Sequence, residues 1–128
     1  MLINTTMPAN SETILEQITH PGDSATETVT GEKYKGDGYY GRSDGLHTVQ
    51  YNLTGLNGSV TIQATLAVSP IEDDWFTVYT KTYALSGSQS DSTNEKLSNL
   101  VNFTGNYVWI RARIEYTDGT VNGIILNH

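Results

Sequence analysis

The sequence predicts an all-β protein, an antiparallel, jelly-roll-like β-sandwich of about seven or eight strands. Threonine, tyrosine, valine and isoleucine, which favour strands, are plentiful, whereas the helix formers alanine, leucine, glutamate and lysine are scarce. Short segments of alternating apolar and polar residues are separated by glycine- and asparagine-containing turns. Because no segment predicts a helix that could cover a parallel sheet, two antiparallel sheets should bury one shared core.

Two alternating segments in the middle of the chain predict a β-hairpin. In "HTVQYNL" one face carries His47, Val49, Tyr51 and Leu53. In "VTIQATLAV" one face carries Val60, Ile62, Ala64, Leu66 and Val68. The intervening "TGLNGS" has the residues of a turn, and both apolar faces should point into the core. This direction makes His47 a hydrogen-bonded core histidine, the ordinary role of a histidine on an inward face.

The C-terminal half predicts further strands and one loop. "DDWFTVYTKTYAL" carries aromatic residues on both faces, as expected of a strand that crosses between layers or is covered by a partner. The serine-rich "SGSQSDSTNEKLSN" predicts a loop with a short helix. In "NYVWIRARIEY" the inward face carries Val108, Ile110, Ala112, Ile114 and Tyr116. The Asp-Gly pair of "TDGT" then predicts a two-residue turn into a last strand, "VNGIILN", and thus a second hairpin.

The N-terminal region predicts two shorter strands and an arm. "TILEQIT" and "ATETVTG" alternate as strands do, and the Pro-Gly pair of "HPGDS" between them marks a turn. Residues 1–10 are polar and contain a proline, which is typical of a flexible arm. We therefore expect an N-terminal arm at 1–10 and a single β-sandwich domain at 11–128.

Composition excludes several classes of function. The chain has 128 residues, the size of one domain, and no cysteine, so disulfides, thiolate metal sites and thiol nucleophiles are unavailable. Its net charge of -7 repels phosphate backbones and anionic membranes, so we expect neither nucleic acid nor membrane as a partner. The first residues lack the pattern of a secretory signal, and no stretch approaches the roughly 18 apolar residues of a membrane span. We expect synthesis and assembly in the cytosol.

No enzyme signature is present. His20, His47 and His128 lie far apart and lack the spacing of a metal-binding pair, and no serine lies in a nucleophile-elbow motif. Asp37 and Asp44, which are flanked by glycines, come closest to a Ca²⁺ site, but two carboxylates make a poor cage for this ion. We therefore predict a protein that is not an enzyme, with no catalytic residue, no metal and no cofactor.

A surplus of aromatic and basic side chains predicts a contact surface. Exposed aromatic residues with polar neighbours stack on sugar rings or anchor protein interfaces. The alternative is that several of them belong to the inner face of the second sheet. The candidate contact residues are Tyr39, Tyr40, Trp75, Tyr107, Trp109, Arg111 and Arg113.

Two long runs resemble a known type of domain. "GDGYYGRSDGLHTVQYNLTGLNGSVTIQATLAVSPIEDDWFTV" and "NFTGNYVWIRARIEYTDGTVNGIILNH" are similar to a small β-domain in virion proteins of tailed bacteriophages, notably T4-like phages of marine cyanobacteria. The resemblance covers roughly the last ninety residues and rests largely on strand and turn positions. It implies a structural, fibre or capsid-decorating module and carries over no catalytic site.

The leading hypothesis is a virion structural protein that decorates or cements the capsid by protein-protein binding. Its partner would be the major capsid protein or another virion protein, and it would be a homo-oligomer, with a trimer as one plausible symmetry. Its location would be the virion, after assembly in the host cytoplasm. One alternative is an accessory protein of the tail, neck or fibre. Another is a carbohydrate-binding module in which Tyr39, Tyr40 and Trp75 stack on a glycan while Asp37 and Asp44 bind its hydroxyls or Ca²⁺.

Overall fold

The computed structural model describes residues 11–41, 44–83 and 96–128, and these residues form antiparallel β-structure. The strands are β1 (Ser11–Leu15), β2 (Ile18–Thr19), β3 (Glu27–Thr30), β4 (Tyr34–Lys35), β5 (Leu46–Thr65), β6 (Phe76–Tyr83), β7 (Lys96–Thr104) and β8 (Trp109–Asn127). A 3-10 turn at Glu72–Asp74 precedes β6. The predicted all-β, antiparallel class is confirmed. The arm predicted at 1–10 lies outside the described residues.

Two long strands form the centre of the fold. β5 has 20 residues and β8 has 19, and they pair with each other along nearly their whole length. Their register shifts near the middle of both strands, between Thr54 and Gly58 on β5. Such bulges bend a strand and increase its twist, which lets one strand continue from one sheet into the next. Each long strand therefore contributes one half to each layer.

The shorter strands complete a jelly roll around these halves. One sheet runs from β1 and β2 through the second half of β8 and the first half of β5 to β7. The other runs from β3 and β4 through the first half of β8 and the second half of β5 to β6. This order, in which the first and last elements of the chain are neighbours, is the jelly-roll arrangement. The predicted sandwich is thus confirmed.

Both predicted hairpins are wrong. "TGLNGS" and "TDGT" do not reverse the chain; they lie opposite each other at the bend, where Asn57 pairs with Asp118. Gly119 has a positive φ of 102°, and a β-carbon there would overlap the carbonyl oxygen of Gly55. Glycine is needed at this corner for the close approach of the two backbones, a role that the sequence pattern does not distinguish from that of a hairpin turn.

The core confirms most of the predicted inward faces. Side chains buried in one continuous cluster include Val49, Tyr51, Leu53, Val60, Ile62, Ala64, Ile110, Ala112, Ile114 and Tyr116. The buried positions of β5 change from odd to even numbers across the bend, as a bulge requires. Leu66 and Val68 were predicted to point inward but are exposed, because β5 ends at Thr65.

The loop with a short helix predicted at residues 86–99 is wrong for residues 96–99, which belong to β7. This strand pairs with the first half of β5, from Leu46 opposite Thr104 to Thr54 opposite Lys96. On the outer face of this edge strand, Ser98 and Asn102 hydrogen-bond to side chains of β5, and Leu100 between them is exposed. With a leucine on the outer face, the alternation of apolar and polar residues is incomplete, which hides the strand from pattern-based prediction. Residues 86–95 of the predicted loop, and the last two residues of the strand predicted before it, lie outside the described residues.

β6 stays within one sheet, so its aromatic residues on both faces do not mark a strand that crosses between layers. A register shift opposite Ile62 and Gln63 changes which residues of β6 point inward. As a result Tyr79 and Tyr83 both reach the hydroxyl of Tyr51, at 2.9 and 2.7 Å between oxygens. Asn99 on β7 joins this network by hydrogen bonds to Tyr51 and Tyr83.

We expect Tyr51→Phe to lower the free energy of unfolding by about 1 kcal/mol, because it removes hydrogen bonds from partly buried polar partners. Burial, followed by the hydrogen bonds from Tyr79 and Tyr83, raises the pKa of Tyr51 well above its ordinary value, so the neutral hydroxyl is retained in the core. Urea denaturation measures the effect. Tyr34→Phe is the matched control and should change stability by less than about 0.5 kcal/mol, and equal losses in both variants would contradict the network.

Candidate functional site

The connection after β4 and the start of β8 bring three predicted contact residues together. Lys35 on β4 lies opposite Trp109, the first residue of β8. Tyr39 and Tyr40 follow in the next loop and are 45% and 49% exposed. The ring of Tyr39 lies 5.1 Å from that of Trp109 and 5.5 Å from that of Tyr40, measured between centroids. The two exposed tyrosine rings and the half-buried ring of Trp109 form a continuous strip.

The loop that carries the two tyrosines is fixed by its backbone. The N–H groups of Gly36 and Gly38 donate to the carbonyls of Val108 and Tyr107, at 2.9 and 2.8 Å. The N–H of Tyr39 donates to the carbonyl of Gly36, which closes a turn. A β-carbon at position 38 would overlap the carbonyl of Asn106, so the close approach of these two segments requires glycine.

Basic side chains lie over the rings of this strip. The ammonium nitrogen of Lys35 is 4.7 Å from the ring centroid of Tyr39, and that of Lys33 is 4.9 Å from Trp109. Within the described part of the chain neither lysine has a carboxylate within ion-pair distance. We call Lys33, Lys35, Tyr39, Tyr40 and Trp109 the aromatic patch. It carries local positive charge on a chain whose net charge is -7.

A buried polar cluster lies beneath the patch. The N–H of Asp37 donates to Nε2 of His47 at 3.1 Å, and Nδ1 of His47 donates to the carbonyl of Gly45 at 2.8 Å. Nδ1 of His128 donates to the carboxylate of Asp37 at 2.8 Å. His47 is fully buried, which confirms its prediction as a hydrogen-bonded core histidine. Asp37, considered for Ca²⁺ or a glycan, is 1% exposed and its carboxylate is bound to His128.

The same contacts set the charge states of this cluster. Burial by itself opposes ionisation of Asp37, but its side-chain hydrogen bonds with His128 and Asp44 and the charges of His47 and His128 outweigh it and lower the pKa of Asp37. Burial also lowers the pKa of His47 and outweighs the opposing effects of Gly45, Asp37 and Asp44. Near neutral pH the cluster therefore holds a neutral His47 beside an ionised Asp37.

Trp75 and Arg111 form a second feature next to the patch. The Arg111 side chain is 9% exposed and is held by Gln63, 2.7 Å from Nε, and by Glu72, 2.5 Å from Nη2. Its guanidinium carbon lies 4.3 Å from the ring centroid of Trp75. The hydrogen bond and charge of Arg111 lower the pKa of Glu72. An open groove of about 220 Å³ is lined by Trp75, Arg111, Glu72 and Lys33, among others.

The remaining predicted contact residues lie elsewhere. Tyr107 was predicted to share a face with Trp109, and this is wrong, because β8 begins at Trp109 and its alternation does not extend to residue 107. The ring of Tyr107 instead packs 5.7 Å from Phe76 and 6.1 Å from His47. Arg113 continues the outward face beyond Arg111, and its charge contributes to the lowered pKa of Glu72.

Sequence reasoning missed three residues of this region. Lys33 and Lys35 alternate in "EKYKGDGYY" directly before the tyrosines, and that spacing could have placed them on one face of a strand. His128 had no local signal, because its neighbours Asp37 and Tyr40 are distant in sequence.

Two further searches cover the described residues only. Among them, no group of three or more histidine, aspartate or glutamate side chains is arranged to hold a metal ion. No helix in this part of the chain is both long enough and apolar enough to cross a membrane.

Comparison with known proteins identifies the fold class and no family. No family model and no curated protein matches the chain. Among solved structures, VP2 of the infectious bursal disease virus subviral particle is similar with 14% identity and a TM-score of 0.51, over 93% of this chain and 31% of that one. A family 29 carbohydrate-binding module from Piromyces equi shares 7% identity with a TM-score of 0.49, over 94% and 91% of the two chains.

An adhesin domain of Lys-gingipain, the K2 domain, gives 10% identity and a TM-score of 0.40, over 77% of this chain and 57% of that one. The chain thus spans little more than half of the gingipain domain and about a third of VP2. At these identities the likeness to VP2 supports the β-sandwich fold and nothing finer.

Proposed function

We propose that this chain is a non-enzymatic virion structural protein of a tailed bacteriophage that decorates or cements the capsid through its aromatic patch. The observation that carries the proposal is the juxtaposition of Tyr39, Tyr40 and Trp109 at the surface, beside two lysines that have no carboxylate partner among the described residues. The phage-domain resemblance of the sequence supports the virion as its location.

The patch has the physical properties of a protein-binding anchor. Tyrosine and tryptophan are enriched at interface hot spots, because they bury large areas and keep a polar end. Here the rings already contact one another, and Nε1 of Trp109 donates to the carbonyl of Val68 at 2.9 Å, so little side-chain freedom remains to be lost on binding. Lys33 and Lys35 favour a partner surface that is acidic at this point.

The proposed partner is the major capsid protein or a neighbouring virion protein. The chain would occupy repeated sites in many copies and associate with itself as a closed oligomer, such as a trimer. A place in the tail, neck or fibre would use the same patch on a different virion protein. In each case the chain would act by binding and not by catalysis.

Cross-linking of purified particles tests this proposal. The chain has four lysines, of which Lys33 and Lys35 lie in the patch and Lys81 and Lys96 lie on β6 and β7. An amine- and carboxylate-reactive cross-linker should join Lys33 or Lys35 to aspartate or glutamate of another virion protein. Absence of the chain from gradient-purified particles, or cross-links from Lys81 and Lys96 alone, would overturn the proposal.

A carbohydrate-binding module is the second candidate, and the groove beside Trp75 favours it. One face of that ring is covered by Arg111, and Glu72 and Lys33 supply polar groups for sugar hydroxyls. A glycan array distinguishes the two candidates. Glycan binding that is lost in Trp75→Ala and kept in Tyr40→Ala would support the module, whereas no binding to any glycan would remove it.

A further inference from the structure

We propose that Asp37, His47 and His128 position the tyrosine loop of the aromatic patch, and that they do so only while His47 is neutral, so that acid releases the patch. Asp37 belongs to the loop itself, and the two histidines hold it from the strands β5 and β8. The hydrogen bonds and ring contacts of this cluster support the release of the loop by acid. Its consequence for binding rests on the proposed function.

The hydrogen bonds of His47 fix its protonation state. Nε2 accepts the N–H of Asp37, so it carries no proton, and Nδ1 donates its proton to Gly45. The ring therefore ties Asp37, at the start of the tyrosine loop, to Gly45, which follows the tyrosines. If the ring gained a second proton, it would lie on Nε2 and point at the N–H of Asp37, so that two hydrogen-bond donors would face each other. Protonation of His47 must therefore break the tie that holds the start of the loop.

His128 connects the same cluster to the patch. Its Nδ1 donates to the carboxylate of Asp37, and its ring stacks on Tyr40 with centroids 5.7 Å apart and planes at 25°. Displacement of Asp37 removes the hydrogen bond that it accepts from His128. Tyr40 then loses the ring beneath it, and its neighbour Tyr39 loses a fixed position beside Trp109.

The groups that face His47 come from each element packed around it. The loop contributes the carboxylates of Asp37 and Asp44, the residue after β8 contributes His128, and the segment before β8 contributes the phenol of Tyr107. From β7 the uncharged ring of Phe103 stacks on the imidazole, 5.2 Å away at 5° between planes. The carboxylates favour a charged imidazole, while burial and His128 oppose it, and burial is the largest effect.

The protonation states of His47 and Asp37 determine how the stability of the loop changes with pH. Because the folded state holds His47 with a lowered pKa, the released state binds more protons, and the ordered loop loses stability as the pH falls below about 6.5. Asp37 has a lowered pKa as well, so its contribution is kept until more acidic pH and is lost below its ordinary value of 3.8. As the pH falls, protonation of His47 should therefore release the loop before Asp37 is protonated.

The fluorescence emission of Trp109 reports whether Tyr39 of the loop stays beside it. The chain has two tryptophans, so Trp75→Phe leaves Trp109 as the single reporter beside Tyr39. Between about pH 8 and about pH 4 its emission should change in one step while far-ultraviolet circular dichroism stays constant. In the same step, binding to phage particles made without this chain should fall at least about tenfold. The His47 imidazole, followed by NMR, should titrate with the same midpoint.

Two variants distinguish protonation of His47 from general effects of acid on the protein. His47→Gln keeps an acceptor for the N–H of Asp37 but has no proton to gain, so it should abolish the step and retain the emission seen at neutral pH. His20→Gln, a change at the opposite end of the sandwich, should leave the step unchanged. An emission that does not change with pH, or a midpoint different from that of His47 in the NMR titration, would overturn the inference. A normal step without particle binding at any pH would instead refute the proposed function alone.

Discussion

Gly58→Ala is expected to lower the free energy of unfolding by roughly 3 kcal/mol, the upper end of the usual range for overpacking. Replacement of glycine in an extended segment normally stabilises a protein, because it restricts the unfolded chain. At position 58, however, β5 crosses β8 at the bend. A β-carbon there would overlap the carbonyl oxygen of Glu115 and both the α- and β-carbons of Tyr116, so the backbone of one strand must move.

This variant distinguishes the jelly roll from a pair of local hairpins. In a hairpin, Gly58 would lie in a solvent-exposed turn with room for a methyl group. Urea denaturation of Gly58→Ala measures the loss. Gly22→Ala is the control, because Gly22 has a positive φ of 87° and open space around it, so only a backbone cost of about 1 kcal/mol applies. Stability of Gly58→Ala equal to or above that of the wild type would contradict the bend.

Tyr39→Ala and Trp109→Ala are each expected to weaken binding to particles that lack the chain by about 30-fold, which corresponds to about 2 kcal/mol at a hot spot. The two rings support each other, since Tyr39 lies between Trp109 and Tyr40. The effects should therefore be less than additive in the double variant. Lys35→Gln should weaken binding by a smaller factor. That factor should decrease as salt is added, because the charge of Lys35 acts through solvent.

Fluorescently labelled protein added to such particles gives the affinity of each variant. Leu100→Ala is the matched control, because Leu100 is 66% exposed on β7, at the other edge of the sandwich from the patch. Lys81→Gln serves the same purpose for Lys35→Gln, since the Lys81 ammonium lies 5.6 Å from the ring of Tyr83. Thermal unfolding shows whether each variant is folded. A folded Tyr39→Ala protein that binds as tightly as Leu100→Ala would exclude the patch as the contact.

Local pattern predicted the faces of the central strands and missed how they connect. The alternation of Val49, Tyr51 and Leu53, and of Ile110, Ala112 and Ile114, reports burial directly, because side chains in a strand alternate between faces. The bend at Gly58 and Gly119 was read as two turns, since glycine serves a tight turn and a close strand crossing equally well. β7 was missed because an edge strand exposes its outer side chains to water.

The candidate site was predicted in part for a similar reason. Tyr39, Tyr40 and Trp109 were chosen as surplus aromatic residues, and the pairing of β4 with β8 brings them together. That pairing joins residues some seventy positions apart, which no local pattern encodes. The link between His128 and Asp37 has the same origin, so the cluster that holds the loop is visible only in the folded chain.

A cryo-electron microscopy reconstruction of the phage particle tests the central claim most directly. We predict density for this jelly roll on the capsid, with Tyr39, Tyr40 and Trp109 buried against an acidic face of a neighbouring protein and β7 turned away from that contact. A reconstruction in which the chain is present with these three rings facing solvent would contradict the account, as would particles that contain no copy of the chain.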